Sequence, residues 1–258
     1  MSYETKTATL AKGALTYLVA GEGEPLLVLH TSGGPLWTPL IEKLATTRRV
    51  FMPVLPGFGG TAMLDSVASV TDLADLAADF ITTEIGADPV DVFGGSFGGR
   101  VALYLAVRHP DRVTDMVLEA PAGVAVGADP AAQDPQAART GLFAYPDKAK
   151  HLAPTPEIAQ GNSAAFRAYG GPVLVDEELV ALLPGIAAPV LVIMGTLDRV
   201  TPPQAGHYLA TTLPNGKLTY VYDAAHAVQV DQAEAMFRVT RHFLDKGAAF
   251  IVASREYC

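Results

Sequence analysis

Short apolar runs alternate with stretches of helical spacing along most of this chain. Thr5 to Leu10 and Ala14 to Val19 read as two strands joined at Lys12-Gly13, a hairpin-like start. Leu26 to Leu29 is too continuously hydrophobic for a strand with one wet face, which predicts a central position in a parallel sheet. Arg49 to Val54, Pro89 to Phe93, Val113 to Leu118, Pro189 to Gly195 and Lys217 to Tyr222 supply further strands. Between them the period changes. Leu40, Ile41 and Leu44 mark a helix within Trp37 to Thr46; Leu73, Leu76, Ala77, Phe80 and Ile81 mark another, opened by a capping-box-like Ser69 and Asp72. Val101 to Val107 and Ala235 to Leu244 complete the set. Strand and helix in alternation predict an α/β fold with a mostly parallel, twisted, eight-stranded sheet flanked by helices.

The alternation breaks between Pro121 and about Ala187, where Ala, Gly, Asp and Pro dominate and Phe143, Tyr145, Phe166 and Tyr169 fall in short helical pieces. The expected organisation is a core of residues 1–121 and 188–258 with a small helical insertion, residues 122–187, after the sixth strand.

Composition narrows the classes of function. Half of the 258 residues are hydrophobic and 17% are charged, so the chain can bury a sizeable core and disorder is not expected. A net charge of −9 with no basic stripe argues against nucleic acid or an anionic membrane as partner. Cys258 is the lone cysteine, which rules out a disulfide within the chain and suits a reducing compartment. No secretory pattern opens the sequence and no run of eighteen apolar residues occurs, so a cytoplasmic location is the expectation. The apolar stretch Gly247 to Ala253 is expected either to cover an exposed surface or to join two subunits as a homo-oligomer.

The densest chemical signal is Gly94-Gly95-Ser96-Phe97-Gly98-Gly99, which follows a strand and precedes a helix. Glycines two residues either side of Ser96 give GxSxG, a turn tight enough to hold a hydroxyl clear of the backbone. No Lys follows, so this is not a phosphate loop. Asp198 lies just past the strand that ends at Gly195, and His226 follows the last strand in a loop of small residues, so both are expected at the sheet edge that carries Ser96. The order Ser96, Asp198, His226 is one of the three common orders of a serine triad. Glu119, at the end of the sixth strand, is a rival acid, and Asp223 lies too close to His226 in sequence to orient its ring from behind. His30 ends a core strand and reads as structural, and His109 as a helix-end residue. No paired histidines, CxxC or carboxylate cluster suggests a metal.

Taken with His30-Thr31-Ser32-Gly33-Gly34-Pro35 and Pro56-Gly57-Phe58-Gly59-Gly60-Thr61, these pieces resemble an α/β-hydrolase-fold enzyme of the serine type over nearly the whole chain. The resemblance implies catalysis by Ser96, Asp198 and His226, and an oxyanion hole made by the backbone N–H groups of Phe97 and Ser32, with Gly33 the second candidate. Thr31 stands where relatives usually carry Gly. The inserted segment is implied to be a cap, with Trp37, Phe143, Tyr145 and Phe166 lining the pocket and no cofactor or metal required. The implied activity is cleavage of a carboxylic ester or lactone of a small, largely uncharged substrate. A C–C bond hydrolase, a proline-iminopeptidase-like aminopeptidase, in which Asp176-Glu177-Glu178 would hold an amine, and a non-catalytic ligand-binding protein remain alternatives.

Overall fold

The computed structural model describes residues 2–86, 89–127, 141–247 and 249–250. Its strands are β1 (Glu4–Leu10), β2 (Gly13–Ala20), β3 (Pro25–Leu29), β4 (Arg49–Pro53), β5 (Val90–Gly95), β6 (Val113–Glu119), β7 (Val190–Gly195) and β8 (Gly216–Val221). They form one sheet in the order β1-β2-β4-β3-β5-β6-β7-β8. β2 runs antiparallel to both β1 and β4, and every other pairing is parallel. The order reverses direction between β3 and β5, which is where an open parallel sheet places a crevice at its carboxyl edge.

The continuous apolar run of β3 has a direct cause. Leu26 and Val28 of β3 pack into one hydrophobic layer while Leu27 and Leu29 pack into the other, all at 0–1% exposure. A strand covered on both faces favours apolar side chains throughout, and each Leu so buried stabilises the fold by roughly 1.5–3 kcal/mol. Helix α1 (Pro39–Leu44) covers one face through Leu40, Ile41 and Leu44. Helices α2 (Val70–Phe80) and α3 (Phe97–Arg108) cover the opposite face.

Helix starts follow local chemistry. Thr38 accepts from the N–H of Ile41 ahead of Pro39, and Ser69 and Asp72 form the capping box expected from their spacing. α3 ends at His109, whose ring contacts Asp75 of α2.

Between β6 and β7 lie the short α4 (Pro146–Ala149), α5 (Pro156–Ala168) and α6 (Glu177–Leu182). The sequence-based expectation for residues 128–140 falls outside the described residues. After β7 come α7 (Pro203–Thr212), the one-turn α8 (Val228–Asp231) and α9 (Ala233–Lys246), which returns to the α1 face through Met236, Phe243 and Leu244. Of the apolar stretch after Gly247, Phe250 packs edge-on against Phe243 with centroids 5.3 Å apart, so this part of the stretch covers the α9 face. Ile251 to Ala253 and Cys258 lie outside the described residues.

Two glycines test the packing in opposite directions. A Cβ on Gly98 would sit 2.0 Å from the carbonyl oxygen of Leu29, whereas Gly161, exposed in α5, has open space around it. Gly98→Ala is expected to lose more than about 3 kcal/mol of stability to overpacking, and Gly161→Ala to gain about 0.5–1 kcal/mol. Urea unfolding of the two variants checks both signs.

Candidate active site

Ser96 stands between β5 and α3 with φ 49° and ψ −111°, a conformation a non-glycine residue rarely adopts. Such strain costs on the order of 1–3 kcal/mol and persists only where the surroundings enforce it. They do so through close backbone approach. A Cβ on Gly94 would meet the Gly98 carbonyl oxygen at 2.8 Å, and one on Gly99 would meet Pro121 at 2.8 Å. The Ser96 N–H donates to the Glu119 carbonyl at 2.8 Å, and the Ser96 carbonyl accepts from Ala122 at 3.0 Å. The turn is therefore fastened to the end of β6.

His226 Nε2 lies 2.9 Å from Ser96 Oγ, and its Nδ1 lies 3.0 Å from Asp198 Oδ2. The second Asp198 oxygen accepts the N–H groups of Val200 at 2.8 Å and Thr201 at 3.0 Å, so the carboxylate is held from both sides. Gly195 makes this convergence possible, because a Cβ there would strike the Ala225 carbonyl oxygen at 2.2 Å. Burial by itself disfavours the His226 cation, but the adjacent Asp198 carboxylate, and Glu119 beyond it, reverse the sign and raise the His226 pKa above its ordinary value. The chain of contacts can pass the Ser96 proton to an imidazole whose cation is stabilised.

Glu119 is not the acid that touches the imidazole. Its carboxylate accepts the backbone N–H of Gln229 at 2.7 Å and a hydrogen bond from the Gln229 side-chain amide N–H, and the side-chain Oε1 of Gln229 accepts from the Thr38 hydroxyl at 2.9 Å. Asp223, at φ 58°, accepts from the Tyr145 hydroxyl.

The loop after β3 is braced from two directions. His30, buried, accepts the Leu55 N–H at Nε2, which leaves the proton on Nδ1 to donate to the Thr31 carbonyl at 2.8 Å. Desolvation takes its pKa down to about 4, so it is a neutral structural ring, as the sequence suggests. Asn162 of α5, 3% exposed, donates to the Gly33 carbonyl at 2.7 Å and accepts the Gly59 N–H at 2.8 Å. The inserted segment thus grips the loop that carries Ser32. Phe97 occupies the first turn of α3, where an N–H has no acceptor four residues back within the helix. Its ring is buried against Phe58, Phe166 and Tyr169 with centroids 5.3–6.4 Å apart.

A cavity of about 780 Å³ opens above Ser96. Ser32, Ser96 and His226 line it together with Phe143, Leu152, Phe166 and Leu174 of the inserted segment. Two expectations about its wall are corrected. Trp37 packs into the α1–α9 layer with its ring 4.9 Å from Tyr3, while its neighbours Leu36 and Thr38 line the cavity. Tyr145 stands on the surface, drawn there by Asp223 and by a Lys148 ammonium 4.6 Å from its ring. The amine-holding role raised for Asp176 fails as well, since that carboxylate is buried against Arg100 and Tyr104 and caps α6, while Glu177 and Glu178 are exposed.

Sequence reasoning missed Asn162, Gln229 and Asp231. The Asp231 carboxylate, fully buried, accepts the N–H groups of Ala144, Tyr145 and Ala225 and so ties the segment bearing Phe143 to the His226 loop. Gln229 stands out in the chain only as a polar residue between Val228 and Val230, and Asn162 and Asp231 lie beside other polar residues, so nothing in sequence names their partners. Among the described residues, no three His, Cys, Asp or Glu side chains gather as metal ligands would, and no helix is long and apolar enough to cross a membrane.

The sequence profile of the alpha/beta hydrolase family matches residues 26–239. A pimeloyl-[acyl-carrier protein] methyl ester esterase of Neisseria meningitidis serogroup B is 33% identical over 242 residues, covering 82% of this chain and 88% of the relative. A 2-hydroxymuconate semialdehyde hydrolase of Pseudomonas putida is 31% identical over 257 residues, covering 89% and 90%. The crystal structure of a serine hydrolase involved in carbazole degradation (CarC) superimposes with a TM-score of 0.76 at 23% identity, covering 95% of this chain and 99% of that one.

The Asn162 brace can be tested without reference to activity. Asn162→Asp keeps an acceptor for Gly59 but replaces the donor to Gly33 with an oxygen that repels it. A loss of about 1–3 kcal/mol in urea unfolding is expected, and unchanged stability would show that the brace carries no load.

Proposed function

This chain belongs to the alpha/beta hydrolase family, and on that premise we propose that it hydrolyses carboxylic esters or lactones of small, largely uncharged substrates through an acyl-enzyme on Ser96. The observation that carries this reading is the contact chain Ser96–His226–Asp198, with steps of 2.9 and 3.0 Å, at the floor of a mainly apolar cavity.

In the proposed reaction Ser96 Oγ attacks the carbonyl carbon as His226 Nε2 takes its proton. Asp198 holds the ring through Nδ1 and stabilises the imidazolium. The N–H groups of Phe97 and Ser32 receive the developing oxyanion, each worth about 3 kcal/mol in a dry site. His226 then returns the proton to the leaving alcohol, and a water activated by the same imidazole releases the acid.

The cavity argues for the charge of the substrate. Glu119 is the one Asp, Glu, Lys or Arg among its described lining residues. A substrate carboxylate enclosed there would lose its hydration and find an acid in place of a cation. A 2-hydroxymuconate-type compound carries such a carboxylate, which favours the ester reading over C–C bond cleavage. The inserted segment acts as the cap in this reading: Phe143, Leu152 and Phe166 close the cavity, and the aromatic stack of Phe58, Phe97 and Tyr169 fixes the cap to the nucleophile turn.

A panel of p-nitrophenyl esters with neutral acyl groups tests the proposal. Multiple turnovers are expected, with kcat/KM falling toward acid through a limb above pH 6.5, because the raised pKa of His226 removes the neutral base as the pH drops through it. Ser96→Ala is expected to cut kcat by about 10⁴-fold or more and to abolish fluorophosphonate labelling. A single slow turnover in the wild-type chain would point instead to a ligand-binding protein, and preferential cleavage of a dienoate to the C–C bond reading.

A further inference from the structure

Glu119 is 1% exposed, lines the cavity and takes no part in the mechanism above. Its carboxylate is held by the two Gln229 donors, both neutral, and among the described residues no Lys or Arg pairs with it. A buried carboxylate without a cation is disfavoured in its ionised form, and burial pushes this one up to about 7 against the opposing pull of Gln229 and His226. A packed apolar side chain would avoid that cost, so its position needs a physical reason.

The contacts supply one. The Glu119 backbone carbonyl accepts the N–H of Ser96, while its side chain grips Gln229, three residues beyond His226. One residue therefore joins the nucleophile turn to the histidine loop. Gln229 passes the connection to Thr38, the residue that caps α1 just beyond the Ser32 loop. Gly95 fits the same picture, since a Cβ there would lie 3.1 Å from Glu119 Oε2 and 3.2 Å from Gln229 Nε2. The titratable groups that act on Glu119 are His226 on the loop after β8 and Asp198 on the loop after β7; its hydrogen-bond partner Gln229, and Thr38 that bonds Gln229 in turn, are neutral.

We infer that Glu119 is a positioning residue that clamps the Ser96 turn to the His226 loop and supplies a second buried negative charge that stabilises the His226 cation formed when Ser96 attacks. Above the acid limb, where the imidazole is neutral, the ionised Glu119 is poorly compensated. Transfer of the Ser96 proton to Nε2 creates the missing cation, so the attraction is gained on the way to the transition state and not before it. Asp198 orients the ring by direct contact, and Glu119 acts through the field and through Gln229.

The inference rests on the serine-hydrolase reading for its catalytic consequence, but its electrostatic core can be read in the resting protein. NMR titration of the His226 ring in the full-length chain is expected to show a pKa lower by on the order of half a unit in Glu119→Gln than in wild type. Glu119→Asp, which keeps the charge, is expected to stay near the wild-type value. The acid limb of kcat/KM should move with the titration, kcat at pH 8 should fall about three- to tenfold, and KM should change less than about twofold. If Glu119→Gln does not accumulate as folded protein, Gln229→Met removes the side-chain donor, lets Glu119 hold its proton to higher pH and should shift His226 in the same direction. An unmoved His226 titration in these variants overturns the inference, even if kcat falls, because a purely structural clamp would lower activity without touching that pKa. Failure of the hydrolase reading would appear elsewhere, as a wild-type chain that fluorophosphonate does not label.

Discussion

The architecture at the sheet edge depends on how closely the first turn of α3 approaches the ends of β3 and β5. Gly98 lies almost against the Leu29 carbonyl and Gly94 against the Gly98 carbonyl, distances that leave no room for a side chain. That compression turns the backbone sharply at Ser96, lifts its hydroxyl toward the cavity and leaves the Phe97 N–H at the open end of a helix. His226 and Asp198 reach the same point because Gly195 lets the histidine loop cross directly over the end of β7. The geometry of the triad is thus set by backbone contacts at glycines more than by the triad side chains themselves.

Holding this site together is expensive, and the compensation is visible. Ser96, Ala120 and Asp223 all adopt positive φ, and Glu119 is buried with no Lys or Arg paired to it among the described residues. Against these stand two unbroken apolar layers on the faces of the sheet and an aromatic stack that runs from His30 through Phe58 to Phe97 and Tyr169. Stacked and edge-on ring pairs add about 0.5–1.5 kcal/mol each beyond the area they bury. Because that stack includes residues of both the core and the inserted segment, the strain at the nucleophile and the shape of the cavity share one support. Asn162 and Asp231 extend it with buried polar contacts, one to the Gly33 loop and one to the His226 loop.

Much of this was legible in the chain. Strand positions follow from continuous apolar runs, and Ser69 with Asp72 announces its capping box, because these signals depend on neighbours in sequence. Ser96 was legible because glycine at fixed offsets is a backbone requirement, and Asp198 and His226 because each falls just past a strand. What the sequence does not display is long-range and polar. Asn162 bonds to residues 129 and 103 positions away, and Gln229 to Glu119 across 110. Trp37 and Tyr145 depart from expectation for a related reason: aromatic character signals burial or contact but not the partner, and the partners prove to be Tyr3 for Trp37 and Asp223 for Tyr145.

The most direct measurement is a quenched-flow reaction with a p-nitrophenyl ester, followed by mass spectrometry of peptides from the acid-stopped protein. The account predicts a burst approaching one equivalent of p-nitrophenolate per chain, with the acyl group on Ser96 and no burst after His226→Ala. Turnover without an adduct on Ser96, or an adduct on another residue, would contradict it.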